Sequence, residues 1–226
     1  MSRLAPVVYF LVLPLPWSLR RLALKTIFGF KIDKTAFISR FALILPTRLE
    51  MGPGSSIGSF TVCKGLELMR LDERALVGPL NWITAFPVGT ASPHFELDPD
   101  RKAHLIMERH ACITSRQHID CTDEVRLGAF STLAGYRTQI LTHSIDLIES
   151  RQRCNPVQIG SYCFVGTCCV LMGGSSLPDR SVLGANSLLA SRLETPGYLY
   201  AGVPARAIRP MDPEAKYFSR TAGFVY

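Results

Sequence analysis

Aliphatic residues return every six positions over 159–194: Ile159, Val165, Leu171, Leu177, Leu183 and Leu189. Four positions after each of the first five stands a small residue, Cys163, Cys169, Ser175, Ser181 or Ser187. The position just after the aliphatic one reads Gly160, Gly166, Met172, Pro178, Gly184 and Ala190. A helix repeats its apolar positions at three and four and a plain strand at two, so neither accounts for this spacing. A period of six predicts short strands joined by tight corners, three to a coil. Each leading aliphatic side chain then points inward onto its counterpart one coil away, and the small residue fits the crowded corner. The expected fold class is all-β, a parallel β-helix, whose hexapeptide form winds left-handed against the usual crossover rule.

The same rhythm is found upstream. Ile32, Ile38 and Ile44 are in phase before a break at Pro46, and it returns at Ile57, at Leu71, Val77 and Ile83, and at Ile113, Ile119 and Val125. One solenoid domain over 32–208 follows, interrupted at 84–104 and 143–158, where the rhythm is lost. Rhythm-free stretches of this length in a compact domain usually carry function. A C-terminal segment, 209–226, begins with Asp212-Pro213-Glu214, which reads as a cap, a first-position proline and an acidic first turn, and predicts a short helix to about Arg220.

The N-terminal segment, 1–31, is apolar over 4–19 and flanked by Arg3, Arg20 and Arg21. It is shorter than the roughly 20 residues of a spanning helix, contains Pro6, Pro14 and Pro16, and lacks an A-x-A-like cleavage site. Ser18 is placed to cap a helix through Phe28. Two roles fit it: an interfacial segment with Trp17 and arginines at anionic headgroups, or a cap on the open end of the solenoid.

Charge narrows the function classes. Of the net +7, Met1 to Lys34 holds six basic residues against Asp33, leaving 19 basic and 17 acidic residues in the remainder. A body so balanced, without zinc-finger, homeodomain or RNA-binding motifs, excludes a general nucleic-acid binder. The seven cysteines form no CxxC pair, and several take repeat positions that want a small apolar side chain, so reduced buried thiols are expected.

Three segments together resemble the hexapeptide-repeat acyltransferases, most closely the galactoside, maltose and polysaccharide O-acetyltransferases: the hexads from Ile159, the closing AGVPARAI of 201–208, and Thr142-His143-Ser144-Ile145-Asp146. The resemblance covers about 32–210. Here the usual Pro-Gly turn is Gly173-Gly174, the usual Trp is Phe164, and a usual Gly is Pro178.

The resemblance implies a homotrimeric enzyme that transfers acetyl from acetyl-CoA to a saccharide hydroxyl, with His143 as general base and Asp146, or else Glu149, orienting it. Imidazole suits that step because its pKa lies near neutrality. His118 and Asp120 are expected to bind or orient the acceptor. Phe164, Gly166, Ala185, Arg192 and Arg206 are expected at the CoA site, the arginines toward its phosphates. The first interruption is placed to shape an acceptor pocket. No metal is expected, nor is nucleic acid a partner, and the expected location is cytoplasmic, with the inner membrane face open to the N-terminal segment. Two alternatives keep the solenoid: a non-catalytic scaffold, and a zinc enzyme resembling γ-type carbonic anhydrases. The five histidines, 94, 104, 110, 118 and 143, offer the latter no closely spaced pair.

Overall fold

The computed structural model describes residues 5–90 and 92–225. Its coils lay short parallel strands onto three faces. Corresponding inward residues stack from coil to coil. On the first face Ile32, Met51, Leu71, Met107, Leu127, Ile159 and Leu177 follow one another in register. The second face stacks Ile38, Ile57, Val77, Ile113, Leu133, Val165 and Leu183. The third stacks Ile44, Cys63, Ile83, Ile119, Ile140, Leu171 and Leu189. Every leading aliphatic residue of the periodic block is buried. The period-six pattern is thus the core itself, and each coil is covered only by its neighbours.

The small residues act at the corners. Cys163, Cys169, Ser175, Ser181 and Ser187 are all buried. The Cys163 thiol lies 3.0 Å from the Pro178 carbonyl and that of Cys169 3.2 Å from the Gly184 carbonyl, each one coil onward. All seven cysteines are free, and burial pushes the Cys63 and Cys163 thiols up to about 12, keeping them protonated and unreactive. Corners also place non-glycine residues at positive φ, Phe60 and Tyr162 among them. The strain is offset by coil-to-coil hydrogen bonds such as Tyr162 N–H to the Ala129 carbonyl at 2.8 Å.

The N-terminal segment contains the expected helix through Phe28, with Pro16 and not Ser18 at its cap position, and a further helix before it. It forms two helices, α1 (Ala5–Val12) and α2 (Trp17–Phe28), because Pro14 and Pro16 break the run between them. They close the first coil: the Tyr9 hydroxyl donates to the Ala42 carbonyl, Trp17 Nε1 to that of Ala36, and Arg20 to that of Ile38. Arg20 is therefore buried and not a headgroup contact. No helix among the described residues is long and apolar enough to cross a membrane.

Three further segments matter for the site. The first interruption leaves the third face after Trp82–Thr84 and rejoins the first at His104–Met107. The second is not a loop but a β-hairpin, His143–Asp146 paired antiparallel with Arg151–Cys154. AGVPARAI supplies the turn and second arm of another hairpin, Tyr198–Gly202 with Ala205–Pro210, on the edge of the second face. The expected C-terminal helix is only one 3-10 turn, Lys216–Phe218. Asp212 accepts from the Glu214 N–H instead of starting a helix. Tyr217 is then held on the coil, its hydroxyl donating to the Cys163 carbonyl and its ring edge-on to Phe164.

Candidate active site

Asp120 ends the third-face strand His118–Asp120, whose neighbour one coil onward is Gln139–Leu141, with Asp120 beside Leu141. Two residues past Leu141 the chain leaves the coil at the base of the hairpin. That exit carries His143 back over the Asp120 carboxylate, with Nδ1 and Oδ2 at 2.8 Å. Gly173 makes the exit possible: a Cβ there would come 2.7 Å from the Thr142 carbonyl oxygen.

Asp120 is held from all sides. Its Oδ2 also accepts from the Thr142 hydroxyl at 2.5 Å, the Thr142 N–H at 2.9 Å and the His143 N–H at 3.1 Å, while Oδ1 accepts from the Thr122 hydroxyl at 2.6 Å and its N–H at 3.2 Å. Burial pushes the Asp120 carboxyl up, but the hydrogen bonds from His143, Thr122 and Thr142 outweigh it and hold its pKa below the usual carboxylate range. The hydrogen bond to Asp120 raises the His143 pKa, against partial burial and the Arg101 charge. With Nδ1–H donated to a fixed carboxylate, the lone pair lies on Nε2. A half-exposed imidazole of that tautomer can take a proton from a hydroxyl.

The loop of the first interruption closes over one side. Phe95 meets the His143 ring edge-on at 5.9 Å. Arg101 ties the loop down, donating to the carbonyls of Phe86, Thr122 and Pro87 at 2.8, 2.9 and 2.9 Å. Loop and hairpin are joined where Arg153 reaches Asp98 at 3.2 Å and the Cys154 N–H donates to it at 3.0 Å. Between them lies a cavity of about 510 Å³, lined by His94, Phe95, Glu96, Ile145 and Arg151 among others.

The expected residues separate into groups. His143 and Asp120 meet, so Asp120, expected at the acceptor, is the partner of His143. Asp146 is not: residues 143 and 146 are an odd number apart on one strand and face opposite sides. Its carboxylate accepts from the N–H groups of Ile148 and Glu149 in the hairpin turn, at 3.0 and 3.1 Å. His118 is exposed and pairs in register with Trp82 and Gln139. Phe164 lies on the second face and Gly166 just past it, packed against the backbone of Ala185. Arg192 and Arg206 are exposed on the C-terminal coil and hairpin. Within one chain none of these six shares a hydrogen bond, ion pair or ring contact with His143, whose side-chain partners are Asp120 and Phe95. Thr122, Thr142, Phe95 and Arg101 belong to the site without having been expected. Thr142 alone carried a signal, as the first residue of the THSID segment. Among the described residues no three His, Cys, Asp or Glu side chains group as metal ligands.

No family model matches the chain. Over 63 residues it is 33% identical to galactoside O-acetyltransferase of Escherichia coli (strain K12), a match spanning 28% of this chain and 30% of that enzyme. The polysialic acid O-acetyltransferase OatWY shares the fold with a TM-score of 0.58 at 14% identity, over 83% of this chain and 90% of that one. AntD, an N-acyltransferase from Bacillus cereus solved with dTDP and coenzyme A, shares it with a TM-score of 0.54 at 15% identity, over 84% and 88%. Fold and matched segment agree with the resemblance to the hexapeptide-repeat acyltransferases.

Proposed function

We propose that the protein is an acetyl-CoA-dependent O-acetyltransferase acting on a hydroxyl of a saccharide or polysaccharide precursor, with His143 as general base and Asp120 as the group that orients it. The observation that carries this reading is the 2.8 Å contact of His143 Nδ1 with a carboxylate saturated by hydrogen bonds. The acetyltransferases it resembles in segment and fold supply the reaction class. The acceptor hydroxyl gives its proton to Nε2 as its oxygen attacks the thioester carbonyl. The C–O bond forms and the carbonyl π pair moves onto oxygen. The oxyanion then collapses, the C–S bond breaks, and the CoA sulfur leaves as the thiol after taking the proton from His143 Nε2, which restores the neutral imidazole. Asp120 stabilises the transient imidazolium and fixes its tautomer. Arg192 and Arg206 are exposed cations at the C-terminal end, suited to the phosphates of CoA. Because Phe164 lies on the second face and Arg206 on its edge hairpin, off the corner of the third and first faces where His143 stands, the reading includes a homotrimer in which a neighbouring copy brings the donor site to His143.

His143→Ala tests it. Acetyl transfer to a saccharide acceptor, followed by thiol release, is expected to fall roughly 10²–10⁴-fold, the usual share of a general base, with CoA binding by calorimetry retained. Transfer at the wild-type rate in this variant excludes His143 as the base.

A further inference from the structure

Closing the first coil uses only one side of the N-terminal helices. Tyr9 and Val12 of α1 and Arg20 and Leu24 of α2 turn inward. On the opposite side Phe10 and Leu11 of α1 and Leu19 and Leu22 of α2 stand in solvent, Leu11 at 72% exposure. Beside Ala42, whose carbonyl Tyr9 of α1 reaches, Phe41 is exposed and stacks on the exposed Phe60 of the next coil, 5.3 Å apart at an interplanar angle of 4°. Single exposed apolar residues are ordinary, but a patch shared by two helices and a coil corner marks a docking surface.

We propose that this end of the solenoid lies on an anionic lipid bilayer, with α1 and α2 embedded at the headgroup level. Charge selects the partner. Lys25, Lys34 and Arg40 are exposed and Arg21 partly so, and Asp33 is the single acidic residue before Thr35. A second copy set face to face would bring two such cationic segments together, whereas an anionic surface attracts them. Lys25 stands three residues from Leu22 on the outer side of α2, where its stem can lie along apolar surface and its ammonium reach the headgroups. At 1.5 Å per residue the 8 residues of α1 extend about 12 Å, far short of the roughly 30 Å hydrocarbon core. The segment lies on the membrane and does not span it.

The test is sedimentation of the full chain with vesicles of phosphatidylcholine, with and without phosphatidylglycerol, at low and high salt. Binding is expected to be several-fold greater on the anionic vesicles and to weaken with salt. The double substitution Phe10→Glu, Leu11→Glu should abolish it, and Lys25→Glu with Arg40→Glu should reduce it and flatten its salt dependence. All four positions are exposed, so circular dichroism and thermal melting should match wild type. Absence of binding to anionic vesicles, or binding unchanged by the Phe10, Leu11 variant, overturns the proposal. A change of solution mass in that variant, with no vesicle binding by the wild type, assigns the face to a second copy instead.

Discussion

Two oxygens of Asp120 serve six donors from three residues, and that saturation makes the pair with His143 directional. An asparagine there offers one acceptor oxygen and two donors of its own. Whichever way its amide turns, an N–H group faces N–H or O–H donors. Asp120→Asn is expected to cost about 1–3 kcal/mol of stability, the penalty for orphaned polar groups, and to lower kcat roughly 10²–10⁴-fold, by analogy with an Asp→Asn change beside a catalytic histidine. The pH profile separates these effects. Because the pKa of His143 is raised, the wild-type kcat/KM should climb with pH through a midpoint above the ordinary imidazole value of about 6.5. In Asp120→Asn that midpoint should move to lower pH, even as the plateau falls. The linkage to folding has the same sign. The His143 contribution is fully present below about 6.5 and lost as pH rises through the raised value. The Asp120 contribution is present above the usual carboxylate value and lost as pH falls through its lowered one. The gap in urea stability between wild type and His143→Ala should therefore narrow as pH rises, leaving at alkaline pH only what the neutral ring's bond to Asp120 and its contact with Phe95 contribute.

The loop of residues 85–103 and the 143–154 hairpin form a joint unit beside the coil. Asp98, with 13% of its side chain exposed, is its fastener, bound to Arg153 and the Cys154 N–H. The outer pair, Arg151 with Glu96 at 3.7 Å, is exposed and contributes little. Asp98→Ala should free the loop without melting the solenoid, whose coils hold themselves. Limited proteolysis within residues 85–103 should become several-fold faster while the thermal midpoint of the coils stays within a few degrees. If Phe95 on that loop positions the acceptor against His143, the KM for acceptor rises and that for acetyl-CoA does not. Legibility follows the same division. The coils could be read because every one buries its leading residue at an equivalent place, from Ile32 to Leu189. The hairpin could not, since residues 143–145 are exposed and obey no buried period. Asp120 was within reach as a residue one coil before His143. Sequence nearness favoured Asp146 instead, and only the strand alternation and the exit at Gly173 decide between them. The C-terminal tail reads locally as a helix start, yet its course is set by distant partners, with Arg220 donating to the Phe130 carbonyl and lying 5.7 Å from the Tyr162 ring centroid.

Across the whole molecule, the division of residues among faces argues for a site built between copies. His143 stands where the third face gives way to the first. Phe164 belongs to the second face, and Arg206 to the hairpin on its edge. A head-to-tail ring sets unlike faces of adjacent copies against each other, and three copies close it with three equivalent clefts. Light scattering should then give three times the 25.0 kDa chain mass. Subunit mixing gives the sharper outcome. One variant, His143→Ala, lacks the base, and another, Arg192→Ala with Arg206→Ala, lacks the cations. Each alone should be nearly inactive. If His143 and the arginines of one chain served the same site, random mixed trimers would contain no complete site and would stay inactive. If each site takes His143 from one copy and the arginines from the next, about one cleft in four of an equal random mixture is complete, because each of the two copies must be of the right kind. Activity returning to about a quarter of wild type after joint refolding, and absent when the two are mixed already folded, would place the reaction between subunits. No recovery in refolded trimers would return the donor site to a single chain and remove the geometric argument for the ring.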